Sequence, residues 1–183
     1  MGCDIHSRVR VLRDGQWEFI DAHIFPEDDV LEVPVLAETD VVRKVLQRFG
    51  IKGTAEPFNW RSYGMFGFLA DVRNYSKIPT ISEQRGLPED LEASNEEYFG
   101  DHSYSWLWLS ELVSFNYDQT FEDLRYTKQI GPRSFDGAAI AEPGNGKQVT
   151  FREFLGPVFF RDIEIMKQLG DPSCIQIVFG FDN

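Results

Sequence analysis

The chain opens on an alternation. Cys3, Ile5, Ser7, Val9 and Val11 fall on one side of an extended backbone, and Asp4, His6, Arg8 and Arg10 fall on the other. A period of two with one mainly apolar side predicts a strand over residues 3–12 whose second face is polar. Arg13-Asp14-Gly15 supplies a turn and residues 16–22 return as a second strand, because Asp-Gly between two alternating runs is a strong hairpin signal. Residues 24–38 read as irregular. A helix follows over 39–50, with Thr39 or Asp40 as its cap, Val41, Val42, Val45, Leu46 and Phe49 as its apolar stripe and Gly50 as its stop. Residues 62–72 predict a second helix, where Gly64 and Gly67 weaken the propensity but let another backbone come close.

Residues 73–92 read as loop, punctuated by Arg85-Gly86-Leu87-Pro88. Ser94-Asn95-Glu96-Glu97 has capping-box spacing and predicts a short helix. Residues 101–108 are compact and aromatic, with a helix expected from about Ser110. The glycines and prolines between 116 and 149 predict extended pieces and loops. Thr150 and Glu153 form another capping box, so a helix is expected to about Leu169, interrupted at Gly156-Pro157 and stopped by Gly170-Asp171-Pro172. Residues 174–181 predict a last strand, with Ile175, Ile177, Phe179 and Phe181 on one face. Strands at both ends with helices between them predict an α+β fold, a mainly antiparallel sheet that includes the N- and C-terminal strands and carries several helices packed on it. The 183 residues predict a single domain, 1–183.

Composition narrows the classes. Hydrophobic residues make up 42% of the chain and 16 residues are Phe, enough apolar material for a core. The net charge of -12 repels phosphate backbones, so general nucleic-acid binding is not expected. Solubility explains the charge, and mimicry of DNA is the sharper alternative, weakened by dispersed acids and 18 Lys and Arg. Cys3 and Cys174 are too few for a secreted disulfide scaffold, no leader-like run precedes the first strand, and no apolar stretch approaches a membrane span of about 20 residues. The cytoplasm is the expected compartment. Met1-Gly2-Cys3 departs from an acylation start, which wants Ser or Thr where His6 stands.

Candidate chemistry gathers in four places. Asp4 and His6 are same-face neighbours roughly 7 Å apart at Cα, able to act as an acid–base pair or to converge on one metal; the same pattern also fits a solvated strand face. In Gly100-Asp101-His102-Ser103-Tyr104-Ser105-Trp106, His102 is a base, metal ligand or phosphate contact, and Ser103 and Ser105 are anion donors, unless Asp101 or Ser103 only caps a turn. Asp71, Arg73 and Asn74 fit an ion pair or a helix cap, with the structural reading favoured. Asp182 joins Asp4 and His6 only if the terminal strands are neighbours. A divalent metal would draw on Asp4, His6 and His102, with Asp101, Asp71 or Asp182 as further ligands, although no tight zinc spacing is present. Cys3 as a nucleophile is opposed by its core-facing position. No phosphate-cradling glycine loop, dinucleotide fingerprint or nucleophile elbow occurs.

Several stretches form a distinctive set: Met1-Gly2-Cys3-Asp4-Ile5-His6, Leu69-Ala70-Asp71-Val72-Arg73-Asn74, Arg85-Gly86-Leu87-Pro88, His102-Ser103-Tyr104-Ser105-Trp106-Leu107 and Phe179-Gly180-Phe181-Asp182-Asn183. They resemble a family of uncharacterised bacteriophage and prophage proteins over nearly the whole chain. The resemblance implies a setting, a phage accessory protein in the bacterial host cytoplasm, with counter-defence as one role, and it transfers no catalytic residue. Three functions are then weighed. The first is a protein that binds and sequesters a nucleotide-derived small molecule, with Tyr104, Trp106 and Trp108 stacking on a base and Arg8, Arg10, Arg73 and Arg85 holding phosphates. The second is a hydrolase of a phosphoester or glycosidic bond, using Asp4, His6, Asp101 and His102 with or without a metal. The third is an acidic protein inhibitor of a host enzyme, acting through surface acids such as Glu27, Asp28 and Asp29. Sequestration ranks slightly above hydrolysis because no known catalytic motif is present.

Overall fold

A computed structural model describes residues 2–26, 53–94, 99–127, 131–132 and 140–183. The expected helix over 39–50 and the acids Glu27, Asp28 and Asp29 lie outside the described residues. The fold is α+β: a mainly antiparallel sheet holds both terminal strands, and helices pack against it. The chain divides into two compact units, each assembled from separate segments.

The first unit comprises Met1–Arg61, Gln84–Ser114 and Pro157–Asn183. Its centre is a four-stranded antiparallel sheet. Strand β1 (Ile5–Arg13) turns back into β2 (Gln16–Phe19) through Asp14 and Gly15, both at positive φ (49° and 78°), as a two-residue hairpin turn requires. The C-terminal strand β9 (Ile175–Phe181) lies on the other side of β1, pairing Ile5 with Phe181 and Val11 with Ile175. Strand β5 (His102–Trp108) closes the far side of β9, giving the order β2-β1-β9-β5. All seven residues of β9 are buried, which suits a central strand covered on both faces. The short pair β3 (Phe25–Pro26) and β4 (Gly53–Thr54) forms its own small sheet.

Strand β5 replaces the unassigned aromatic segment of the sequence reading. Its alternation is broken by a bulge between His102 and Ser105, where Ser103 takes φ 55°. The outer edge of β5 is covered by residues 85 and 86: Gly86 N–H donates to Tyr104 O at 3.1 Å and Arg85 N–H to the Ser105 hydroxyl at 3.1 Å. Helix α2 (Glu89–Ser94) occupies residues 89–92, expected as loop, while the short helix expected from Ser94 falls on residues 95–97, outside the described residues; α2 carries Glu89, Asp90 and Glu92 in its first turn, where carboxylates suit the N-terminal end of the helix dipole. Helix α3 (Leu109–Ser114) begins one residue before the expected start.

The second unit comprises Ser62–Glu83 and Phe115–Gly156. Helix α1 (Tyr63–Ala70) is capped by the Ser62 hydroxyl and ends at Asp71 with φ 57°; every residue from Gly64 to Ala70 is buried. Strands β6 (Thr120–Thr127), β7 (Gly131–Pro132) and β8 (Gly146–Thr150) form a three-stranded sheet in the order β7-β6-β8. The capping box at residue 150 is present: Glu153 Oε2 accepts Thr150 N–H at 3.0 Å and Glu153 N–H donates to Thr150 Oγ1 at 3.0 Å. Helix α4 (Phe151–Lys167) starts there and kinks at Gly156, before Pro157, as the sequence predicts; its residues from Pro157 onward belong to the first unit.

Candidate functional site

The pairing of β1 with β9 continues past the last ladder residue. Asp182 N–H donates to Asp4 O at 3.2 Å, and Asp4 N–H donates to Asp182 Oδ1 at 3.1 Å. The second oxygen of the same carboxylate, Oδ2, accepts from His6 Nε2 at 2.9 Å. Register explains the meeting. His6 stands opposite Gly180, and Asp182 lies two residues on from Gly180, on the same face of β9. The condition set by the sequence is therefore met, and Asp182 joins Asp4 and His6. The His6 and Asp182 side chains are 27% and 30% exposed, accessible to solvent without being fully solvated. The hydrogen bond from His6 is the main reason that the Asp182 carboxyl lies below its ordinary range, with partial desolvation opposing it and Asp4 N–H assisting.

Asp4 has a second partner that sequence reading missed. Arg61 Nε donates to Asp4 Oδ1 at 2.8 Å and Arg61 Nη2 to Oδ2 at 2.7 Å, a bidentate fork. Arg61, Asp4, Asp182 and His6 thus form one hydrogen-bonded series. Both members of the Arg61–Asp4 pair are 52% exposed, a setting in which an ion pair contributes about 0–1 kcal/mol.

The segment that delivers Arg61 is anchored in the core. Phe58 holds φ 59°, a region that costs a bulky residue about 1–3 kcal/mol. It is kept there by Asp162 Oδ2, which accepts Phe58 N–H at 2.6 Å, and by stacking on Phe159 at 4.9 Å between ring centroids. The Ser7 hydroxyl donates to Pro57 O, and the Asn59 amide donates to Glu56 O at 2.9 Å. Asp162 is buried beside Arg161, its partner at 2.8 Å. Burial is the largest influence on Asp162 and pushes its carboxyl up to about 6, against the pull of Arg161 and of Phe58 N–H.

Asp101 and His102 do not join this group. Asp101 is exposed, and its N–H donates to Phe181 O at 2.6 Å. His102 stands opposite Phe181 and stacks on it at 6.3 Å, whereas His6 stands opposite Gly180. Neighbouring residues of a strand face opposite ways, so β9 separates the two histidines. The expected metal set of Asp4, His6 and His102 is corrected for that reason, and among the described residues no three His, Cys, Asp or Glu are grouped to hold a metal ion. His102 Nδ1 meets the Ser103 hydroxyl at 2.9 Å, and its buried Nε2 has no hydrogen-bond partner among the described residues.

The expected ligand residues have structural partners. Ser105 is fully buried and accepts Arg85 N–H, so it does not face a bound anion. Arg85 forks onto Glu111 at 2.8 and 2.6 Å and lies 4.7 Å from the Trp106 ring centroid. Arg10, 2% exposed, is held by Gln176 at 2.6 Å and Asp90 at 2.5 Å over Trp17. Arg8 pairs with Asp21 beside Phe19. Trp106 and Trp108 meet edge to face at 6.0 Å. The Tyr104 hydroxyl donates to Gly100 O at 2.9 Å, and its ring covers Gly180, where a Cβ would sit 2.7 Å from Cδ1. Arg73 belongs to the second unit and donates to the Tyr75 hydroxyl at 3.4 Å. Nearby, Asn74 ties Asp71 at 2.7 Å to Ile78 O at 2.9 Å, and it is Asp71, not Asn74, that caps the end of α1. The second unit also contains a pocket of about 360 Å³, lined by Asp123, Arg125, Lys147, Glu153 and Phe154 among others and by none of the expected site residues.

Comparison with known proteins returns no matching family model, no matching curated protein and no matching solved structure. The chemistry therefore rests on geometry. A carboxylate hydrogen-bonded to one nitrogen of a histidine fixes the ring's orientation and its tautomer, which is what a positioned general base requires.

Proposed function

We propose that the chain is a hydrolase of a nucleotide-derived small molecule, with His6 as general base and then general acid, and Asp182 as the residue that orients it. The observation that carries this reading is the 2.9 Å contact between His6 Nε2 and Asp182 Oδ2 at a partly exposed sheet end. In a phosphoester, water attacks phosphorus and gives its proton to His6; the bond to the leaving oxygen breaks, and His6 returns the proton to that oxygen. A glycosidic bond is the alternative substrate for the same pair. Sequestration is less favoured than in the sequence reading, because Arg8, Arg10 and Arg85 are engaged with Asp21, Asp90 and Glu111. The resemblance to phage and prophage proteins supports an accessory role in a bacterial host.

The test is to incubate the purified chain with a panel of cyclic dinucleotides and ADP-ribose derivatives, remove free ligand, denature the protein and identify by chromatography what was bound or converted. A new product is the expected result. Release of intact ligand overturns hydrolysis in favour of sequestration. A panel that stays free and unchanged removes both readings for those compounds and turns attention to a host protein.

A further inference from the structure

We propose that Asn145 is a self-modifying residue whose side-chain amide is attacked by the backbone nitrogen of Gly146, and that Glu122 is the brake on that reaction. The site lies in the turn that leads into β8, within the second unit.

The reacting groups are neighbours at the end of a tight turn. Asn145 N–H donates to Glu142 O at 2.9 Å across Pro143 and Gly144, and Gly144 takes φ 91°. Asn145 is exposed, so water reaches its amide. The residue after it is glycine for a packing reason: a Cβ at 146 would stand 2.6 Å from Glu122 Cγ and 2.9 Å from Asp123 O. Close packing therefore puts the residue that least shields its own nitrogen directly after an exposed asparagine. In the reaction Gly146 N gives up its proton and bonds to Asn145 Cγ. The bond from Cγ to the amide nitrogen breaks, and ammonia leaves with that proton. Water then opens the five-membered imide at either carbonyl, giving aspartate or a β-linked isoaspartate. Water is the one co-reactant.

Glu122 holds the attacking nitrogen. Gly146 N–H donates to its Oε1 at 2.7 Å, and Gly144 N–H donates to its Oε2 at 2.9 Å. One carboxylate thus grips the backbone on both sides of Asn145. A hydrogen bond made by the protonated nitrogen and a negative charge beside it both oppose loss of the proton. Ring closure also needs the peptide between 145 and 146 to turn toward the side chain. The two bonds to Glu122 resist that rotation, as does the pairing of Gly146 with Thr127. Glu122 is itself fixed in β6, opposite Gln148 of β8. Hydrogen bonds to a charged group are the stronger kind, enough to slow the reaction at least about tenfold.

The experiment incubates the full chain at neutral pH, folded in buffer and unfolded in guanidinium chloride. Peptide mass spectrometry follows amide-to-acid conversion and isoaspartate at position 145. Conversion should be at least about tenfold slower in the folded chain than in the unfolded one. Glu122→Ala, shown by circular dichroism to be folded under the incubation conditions, should convert at least about tenfold faster than folded wild type. Glu122→Gln, which loses the charge and one acceptor oxygen but keeps the shape, should also convert faster, and it carries the test if the alanine variant does not fold. Asn145→Ser should abolish conversion at that position. Folded wild type that converts as fast as the unfolded chain overturns the brake. Folded Glu122 variants that convert no faster than wild type overturn its assignment to Glu122. An unfolded chain that does not convert at Asn145 overturns the site itself.

Discussion

Asp182 Oδ2 lies 2.9 Å from His6 Nε2, although 176 residues separate the two in sequence. The contact exists because β1 and β9 are antiparallel neighbours whose register puts His6 opposite Gly180. Its electrostatic consequence is a lowered Asp182 carboxyl. A carboxylate whose folded pKa is depressed adds stability above its unfolded value, about 4, and loses it as pH falls through the folded value. In a carboxyl titration by NMR, Asp182 should therefore titrate below the usual range in the wild type and move back toward it in His6→Ala. An Asp182 titration that does not respond to His6→Ala would show that the pair is not formed in solution.

Asp162 should act in the opposite direction. Its carboxyl, pushed up to about 6 by burial, holds its proton more tightly in the folded protein than in the unfolded chain. Wild-type stability from this group should fall as pH rises from about 4 to about 6, by an amount of order 3 kcal/mol. Asp162→Asn removes the titration, so its deficit relative to wild type should shrink over that interval in urea denaturation. A deficit that grows with pH would mean that pairing with Arg161 outweighs burial.

Arg85 should behave as a structural residue. It neutralises Glu111, whose Oε2 also accepts Trp108 N–H at 2.8 Å at the start of α3. Its hydrogen bond is the leading cause of the lowered Glu111 carboxyl. Arg85→Ala should cost about 1–2 kcal/mol in chemical denaturation. Turnover per folded molecule should be unchanged, and a selective loss of substrate affinity with stability intact would return Arg85 to the site.

Gly180 should tolerate no side chain. A Cβ there would collide with Phe99 O and approach the Tyr104 ring at 2.7 Å. Gly180→Ala should destabilise by about 1–3 kcal/mol through overpacking on the strand that carries Asp182. Thermal unfolding at wild-type temperature would show that β5 does not lie over Gly180.

What could be read from the chain follows from the range of the signals. Alternation from Cys3 to Val11 and from Ile175 to Phe181 is a local pattern, and it exposed both terminal strands. Arg10 was the exception on the polar face, since its burial depends on Asp90, 80 residues away. The β5 strand was hidden by the bulge at Ser103, which breaks the two-residue period, and by aromatics on both sides of the break. The α2 helix has a legible start in Pro88 followed by Glu89 and Asp90, but so short and polar a stretch predicts a loop. Arg61 offered no signal at all. It is a single cation after Asn59 and Trp60, and only a fold that brings residue 61 to residue 4 gives it a role. Sequence alone does not separate His102 from His6, because composition does not reveal which side of a central strand a residue faces.

The most direct measurement is the turnover of the panel's best substrate by wild type, His6→Ala and Asp182→Asn, with each variant's folded fraction verified. The expected result is a loss of about 10²- to 10⁴-fold in kcat for His6→Ala and a smaller loss of at least about tenfold for Asp182→Asn. Wild-type turnover in both variants would contradict the assignment of His6 and Asp182 as the acid–base pair.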